Sequence, residues 1–254
     1  MKNQKLFSAW GVVLLAVGFL GAQEKPGTIA ALEFQKPKNG MISQYESGRK
    51  QKAAWHKQQN DPLPLYVWET LTGESTGTYV VGRLGQHWAD FDKPAISDEA
   101  DVAEFEKVVG ASVESIVTRY YEFMPKISNP TADKLPSKFS EIITFYIRQG
   151  KSSDFRSAIE RVFEGGTKTK WPPNYYWYEL WSGGPVATFV LVLPHNKWAD
   201  FEDKPEVKPF REMLKDAFGQ EEADSIVSRI DGAVQKETSD IVQFHPVLSY
   251  MPAK

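Results

Sequence analysis

Four polar side chains stand where short apolar strands would hold them in fixed positions: Tyr146, Arg148, Glu179 and His245. Period-two alternation places Glu179 on one face with Tyr175, Trp177 and Trp181. A carboxyl kept among apolar groups has its pKa raised unless it is paired, which is what a general acid or base needs. Tyr146 and Arg148 share the polar face of another strand and would add a hydroxyl and a cation. His245 alternates with Phe244 and Pro246, and its imidazole would supply a proton-transfer group. Together the four could line one asymmetric ligand pocket. The plainer alternatives are a glutamate that reaches water or an arginine at a rim, and a histidine satisfied within the structure.

A second set of residues occurs twice. Trp88-Ala89-Asp90-Phe91 returns as Trp198-Ala199-Asp200-Phe201, and Glu69 returns as Glu179. Trp88 and Trp198 could wall a pocket, with Asp90 and Asp200 as base or ligand. Aromatic anchoring of a corner, with the aspartate capping a turn, accounts for the block without function. Features held alike in both copies suit folding, whereas a single pocket is better marked by polar residues that one copy alone possesses.

Several chemistries are excluded. There is no cysteine, so disulfides, thiolate metal sites and a cysteine nucleophile are ruled out. The four histidines include no i, i+4 pair, and no metal-site spacing is present. Nucleophile elbows, phosphate loops and dinucleotide fingerprints are likewise missing. The net charge is −3, and the chain has no long basic run, which argues against nucleic acid as the partner.

The elements that would position these residues come from an internal duplication. At an offset of 110 residues, Leu65–Asp92 lies over Tyr175–Glu202, and Ser115–Arg119 lies over Ser225–Arg229. A further shift of 11 brings Phe123–Ser128 over Phe244–Ser249. Strands are expected at Ala30–Gln35, Leu65–Leu71, Thr78–Leu84 and Tyr121–Ile127, and again at Ile142–Arg148, Tyr175–Trp181, Thr188–Leu193 and Ile241–Leu248. The first helix of copy two reads from Ser152 through Phe155, Ala158, Ile159, Val162 and Phe163 to a stop at Gly165-Gly166. Its copy-one counterpart, around Met41–Gln59, is more basic and less regular. Val102, Phe105, Val109, Ile116, Val117 and Tyr120 read as the second helix of copy one, and the matching helix of copy two breaks at Gly219.

Each copy is therefore β-α-β-β-α-β, the ferredoxin-like order of a four-stranded antiparallel sheet with both helices on one face. The strand Tyr175–Trp181 carries large apolar groups on both faces, so the open face needs a cover, and the other copy is the nearest one. The expected fold is α+β, with two tandem modules packed sheet to sheet. In element order and duplication, residues 28–250 resemble the dimeric α+β barrel superfamily, fused here as a pseudo-dimer. That resemblance implies a choice among cofactor-independent monooxygenases, haem-handling proteins, isomerases and proteins of other roles.

The N-terminus reads as a secretory signal: Lys2 and Lys5, an apolar run from Leu6 to Leu20, then Gly21-Ala22 before Gln23. Cleavage after Ala22 leaves 28 basic and 33 acidic residues, a net charge of −5, and a chain with no stable membrane insertion. The expected organisation is a leader at 1–22, a first module at 28–128, a linker at 129–138 and a second module at 139–250. The expected function is that of an exported, periplasmic or extracellular protein binding a small molecule between the modules. A cofactor-independent monooxygenase-like or haem-handling enzyme is the alternative. The residues themselves call for no cofactor or metal, and the resemblance leaves haem open.

Overall fold

The computed structural model describes residues 26–130, 136–185, 187–202 and 204–252. The leader at 1–22 and the middle of the linker lie outside the described residues. Copy one comprises β1 (Ile29–Pro37), α1 (Ile42–Gln58), β2 (Tyr66–Thr70), β3 (Tyr79–Gln86), α2 (Asp98–Val108) and β4 (Val113–Phe123). Copy two comprises β5 (Phe139–Ile147), α3 (Ser152–Thr169), β6 (Tyr176–Ser182), β7 (Thr188–His195), α4 (Phe210–Phe218), α5 (Gln220–Ala233) and β8 (Val234–Phe244).

The two sheets do more than face one another. They join edge to edge into a closed antiparallel barrel in the order β1-β3-β2-β8-β5-β7-β6-β4, with β4 returning to β1. One seam pairs Trp68 with Phe244 and Thr70 with Val242. The other pairs Tyr121 with Leu180 and Phe123 with Tyr178. Closure leaves no unpaired strand edge to template aggregation. Among the described residues no helix is long and apolar enough to cross a membrane.

Alternation along the strands sorts side chains between the barrel interior and an outer helix layer. On β6, Tyr178 turns inward, while Trp177 packs outward against Phe155 of α3. Phe155, Phe189, Met213 and Leu214 are fully buried in the copy-two layer, each stabilising the fold by roughly 1.5–3 kcal/mol.

Four expectations need correction. β4 and β8 begin well before Tyr121 and Ile241, so Ile116, Val117 and Tyr120 belong to a strand and not to a helix. Their β-branched and aromatic run mimics helical spacing over a short window. The match of Ser115–Arg119 with Ser225–Arg229 sets a strand against a helix, and the true equivalence of β4 and β8 is the 121-residue offset. The extra 11 residues of copy two are taken up in the helical segment of α4 and α5, which turns at Gly219 (φ 84°). α3 runs through Gly165-Gly166 and ends at Lys170 in the left-handed region (φ 54°). A Cβ at Gly165 would lie 2.9 Å from the Phe218 ring, so this glycine lets α4 approach and does not stop the helix.

Candidate functional site

The barrel interior encloses a cavity of about 670 Å³. The offsets of 110 and 121 residues make its lining a comparison of the two copies. β1 contributes Ala30, Leu32 and Phe34, whereas β5 contributes Ser140, Ile142 and Thr144 at the same positions. β4 places Val117, Arg119 and Tyr121 where β8 places Thr238, Asp240 and Val242. Along these strands β1 is apolar where β5 carries two hydroxyls, and β4 and β8 place one cation and one carboxyl at equivalent sites. Trp68 and Tyr178 add aromatic surface from β2 and β6.

Two hairpin loops lean on the last strand of the other copy. A Cβ on Gly73 (φ 80°) would fall 1.8 Å from Asp240 Oδ1, and one on Gly183 (φ 95°) would fall 2.2 Å from the Thr118 carbonyl oxygen. Glycine recurs in both copies because left-handed backbone and close approach coincide there. The Asp240 carboxyl is raised above its ordinary value by burial and then by the negative charge of Glu74. Burial also pushes up the phenols of Tyr121 and Tyr178, against a hydrogen bond from Arg119 in the case of Tyr121.

The structure does not bring the four expected site residues together. Tyr146 lines the cavity near Lys236, whose Nζ lies 5.9 Å from its ring centroid. Arg148 follows β5 at the surface, and its Nε donates to the Val234 carbonyl at 3.2 Å. Glu179 turns outward and pairs with Arg156 of α3. His245 follows β8, so it is not on the strand, and its Nε2 lies 2.9 Å from Glu69 Oε2 in the outer layer. Alternation assigns Glu69 and Glu179 to the same side as the buried Val67 and Trp177, and that side faces the helices.

Both Trp-Ala-Asp-Phe blocks form single 3-10 turns, Trp88–Asp92 and Trp198–Phe201. Asp90 accepts the His87 amide at 2.7 Å, and Asp200 accepts the Asn196 and Lys197 amides at 2.9 and 3.2 Å. Those amides hold the Asp200 carboxyl below its ordinary value. Trp88 clusters with Phe91, Tyr120 and Trp181, and Trp198 with Phe139 and Phe201, on the outside of the barrel. Neither block lines the cavity.

Arg119, Asp240 and Trp68 are the cavity residues that sequence reasoning missed. The signal was present in the 121-residue offset, which sets Arg119 over Asp240 once it is extended back from Phe123. A second missed feature lies beneath α1. Its buried stripe is Tyr45, Arg49, Lys52 and His56, where α3 has Phe155, Ile159, Val162 and Gly166. His56 Nδ1 donates to Asp61 Oδ2 at 2.8 Å, Arg83 reaches the same oxygen at 2.7 Å, and Lys52 meets Asp101 at 2.9 Å. Burial pushes the His56 imidazole down to about 4, against the pull of Asp101. Arg83, hydrogen bonding to Asp61, holds that carboxyl below its ordinary value although burial opposes it.

Haem iron needs an axial imidazole, thiolate, thioether or phenolate. Among the described residues no histidine, cysteine or methionine lines the cavity. Of its phenols, Tyr121 and Tyr178 are pushed away from ionisation by burial, which leaves only Tyr146 as a further oxygen donor. The lining does not fit haem. No group of three or more histidine, aspartate or glutamate side chains among the described residues could hold a metal ion.

No protein-family model matches the chain. No curated protein matches it in sequence. Solved structures do. An anthrone oxidase-like protein is similar at 13% identity over 91% of this chain and 95% of its own, with a TM-score of 0.52. A candidate monooxygenase from Lactobacillus acidophilus NCFM is similar at 9% identity, covering 91% and 98%, with a TM-score of 0.51. A mutant chlorite dismutase from Candidatus Nitrospira defluvii in complex with cyanide is similar at 8% identity, covering 89% and 93%, with a TM-score of 0.50. At such identities the likeness concerns the fold alone. The chain has the dimeric α+β barrel fold, with both modules in one polypeptide.

Proposed function

We propose that the chain binds a small organic molecule inside the barrel. One observation carries this reading: the inward-facing side chains of all eight strands, Val117 of β4 among them, line one unfilled interior space of about 670 Å³. Protein interiors are close-packed, and an eight-stranded barrel is either filled by its own side chains or wide enough for one small ligand. A cavity of about 670 Å³ with mostly apolar walls and a few polar groups is the common form of a ligand pocket. Val117→Trp sets a large ring into its middle. Titration calorimetry with a naphthalene probe should show saturable binding in the native chain and clearly weaker binding in this variant. Equal binding by the two would overturn the reading. Added haem should produce no Soret shift.

A second reading, catalysis, is favoured by Asp240. A cavity carboxyl with a raised pKa is suited to take a proton from a bound substrate. The monooxygenase and oxidase-like names of the fold relatives make oxygen consumption the assay to run. Phenol-dependent uptake abolished by Asp240→Asn supports this reading, and binding without turnover supports the first. The proposal also includes export, with Gln23 as the mature N-terminus. The intact mass of the secreted product should lack residues 1–22, and a product retaining Met1 in the membrane fraction would refute it.

A further inference from the structure

We infer that the ligand is an organic anion with a flat apolar body, its negative group held by Arg119. This inference rests on the cavity reading above. The lysines that line the cavity already have partners: Lys36 meets Glu114 at 3.1 Å and Lys236 meets Glu74 at 3.7 Å. Arg119 meets no carboxylate within ion-pair distance among the described residues, and its Nε is buried without a hydrogen-bond partner. Guanidinium groups remain charged at any physiological pH, so a half-buried one with no carboxylate beside it is a ready partner for an anion.

Asp240 is not that anion. A nearby guanidinium would lower its pKa, yet the carboxyl is raised, and the charge acting on it is that of Glu74. The two groups stand at equivalent places on β4 and β8 and act separately.

The Arg119 side chain is also held in place. Its Cζ lies 4.7 Å from the Phe34 ring centroid, and a Cβ on Gly184 would come within 3.6 Å of Nε. The Phe34 ring covers one face of the guanidinium, and the cavity that Arg119 lines is the direction left for an anion. A fixed planar fork of this kind matches a carboxylate or sulfonate. Around it Leu32, Phe34, Trp68 and Tyr178 form walls suited to a ring system.

The test compares naphthalene-2-carboxylate with the neutral 2-naphthalenemethanol by titration calorimetry on the full chain. The native protein should bind the carboxylate at least about tenfold more tightly. Arg119→Gln should erase that preference while keeping affinity for the alcohol, and Arg119→Lys should retain part of it. The preference in the native chain is itself a test that needs no variant to fold. Equal affinities for the two probes, with both weakened by Val117→Trp, would leave the cavity reading standing and overturn the anion. A preference that survives Arg119→Gln in a folded protein would also overturn it. Binding of neither probe would defeat both readings.

Discussion

His245 Nε2 and Glu69 Oε2 stand 2.9 Å apart across the seam where β8 of copy two meets β2 of copy one. The backbone continues the join, with the His245 amide donating to the Val67 carbonyl at 2.9 Å. Both side chains are partly exposed, so the pair is worth at most about 1 kcal/mol. His245→Met, the residue copy one carries at Met124, should lower the melting temperature slightly and leave probe binding unchanged. Calorimetric titration beside thermal unfolding checks both halves of that statement. Lost binding in a protein with native stability would return His245 to the ligand site.

The duplication was legible in sequence because aromatic and glycine positions of β2, β3 and the corner after them recur without a gap from Leu65 to Asp92. Barrel closure was less so: edge pairing leaves no pattern in one strand, and only the apolar character on both faces of β6 hinted at a covered interior. α1 was obscured for a physical reason. Its buried face is charged, so Lys52 and His56 looked like a solvated basic surface, and their partners Asp101 and Asp61 are distant or beyond the helix end. Of Tyr146, Arg148, Glu179 and His245, which lie at or near strand ends, Tyr146 alone faces the cavity. Arg119 was hidden by a chance match with Arg229 at the wrong offset.

The His56 network gives stability a defined dependence on pH. The folded imidazole titrates near 4, against an ordinary value of 6.5. Between those values the unfolded chain binds a proton that the folded chain does not, so stability is full above pH 6.5 and falls as pH drops toward 4. The loss attributable to this group is about 3 kcal/mol. Urea unfolding of the native chain and His56→Gln across pH 4–7 checks it. The variant should be less stable at neutral pH and show a flatter profile. Parallel profiles would mean that His56 is not the titrating group.

Gly73 should resist substitution more than its exposed loop suggests. Alanine there must adopt φ near 80° and overlap Asp240 Oδ1. The backbone alone costs about 1–2 kcal/mol, and the Asp240 side chain must move aside. Gly73→Ala should therefore lower stability and alter probe affinity together. Gly77, also left-handed but with open space around it, is the control: Gly77→Ala should lower stability through the backbone alone. Identical effects of both variants on affinity would show that the Gly73 contact does not shape the cavity.

Separating the copies tests how strongly each depends on the other. Cutting within residues 131–135 leaves copy one with free edges at β2 and β4, and copy two with free edges at β6 and β8. Each half would also expose its inward face, including Leu32, Phe34 and Val117 in copy one and Ile142, Tyr178 and Val192 in copy two. Exposed apolar surface of that kind costs about 25 cal/mol per Å², and two open edges invite pairing with any matching strand. A half can close a barrel with a second copy of itself, β2 lying on β4 or β6 on β8. In the copy-one dimer two Arg119 side chains would then occupy equivalent places in one interior, and in the copy-two dimer two Asp240 carboxyls would. Mixed halves instead restore one of each, as in the intact chain. Each half alone should dimerise or aggregate in sedimentation, and mixing the halves should yield mainly the one-to-one complex. A half that remains a folded monomer at micromolar concentration would show that the seams contribute little to the stability of the fold.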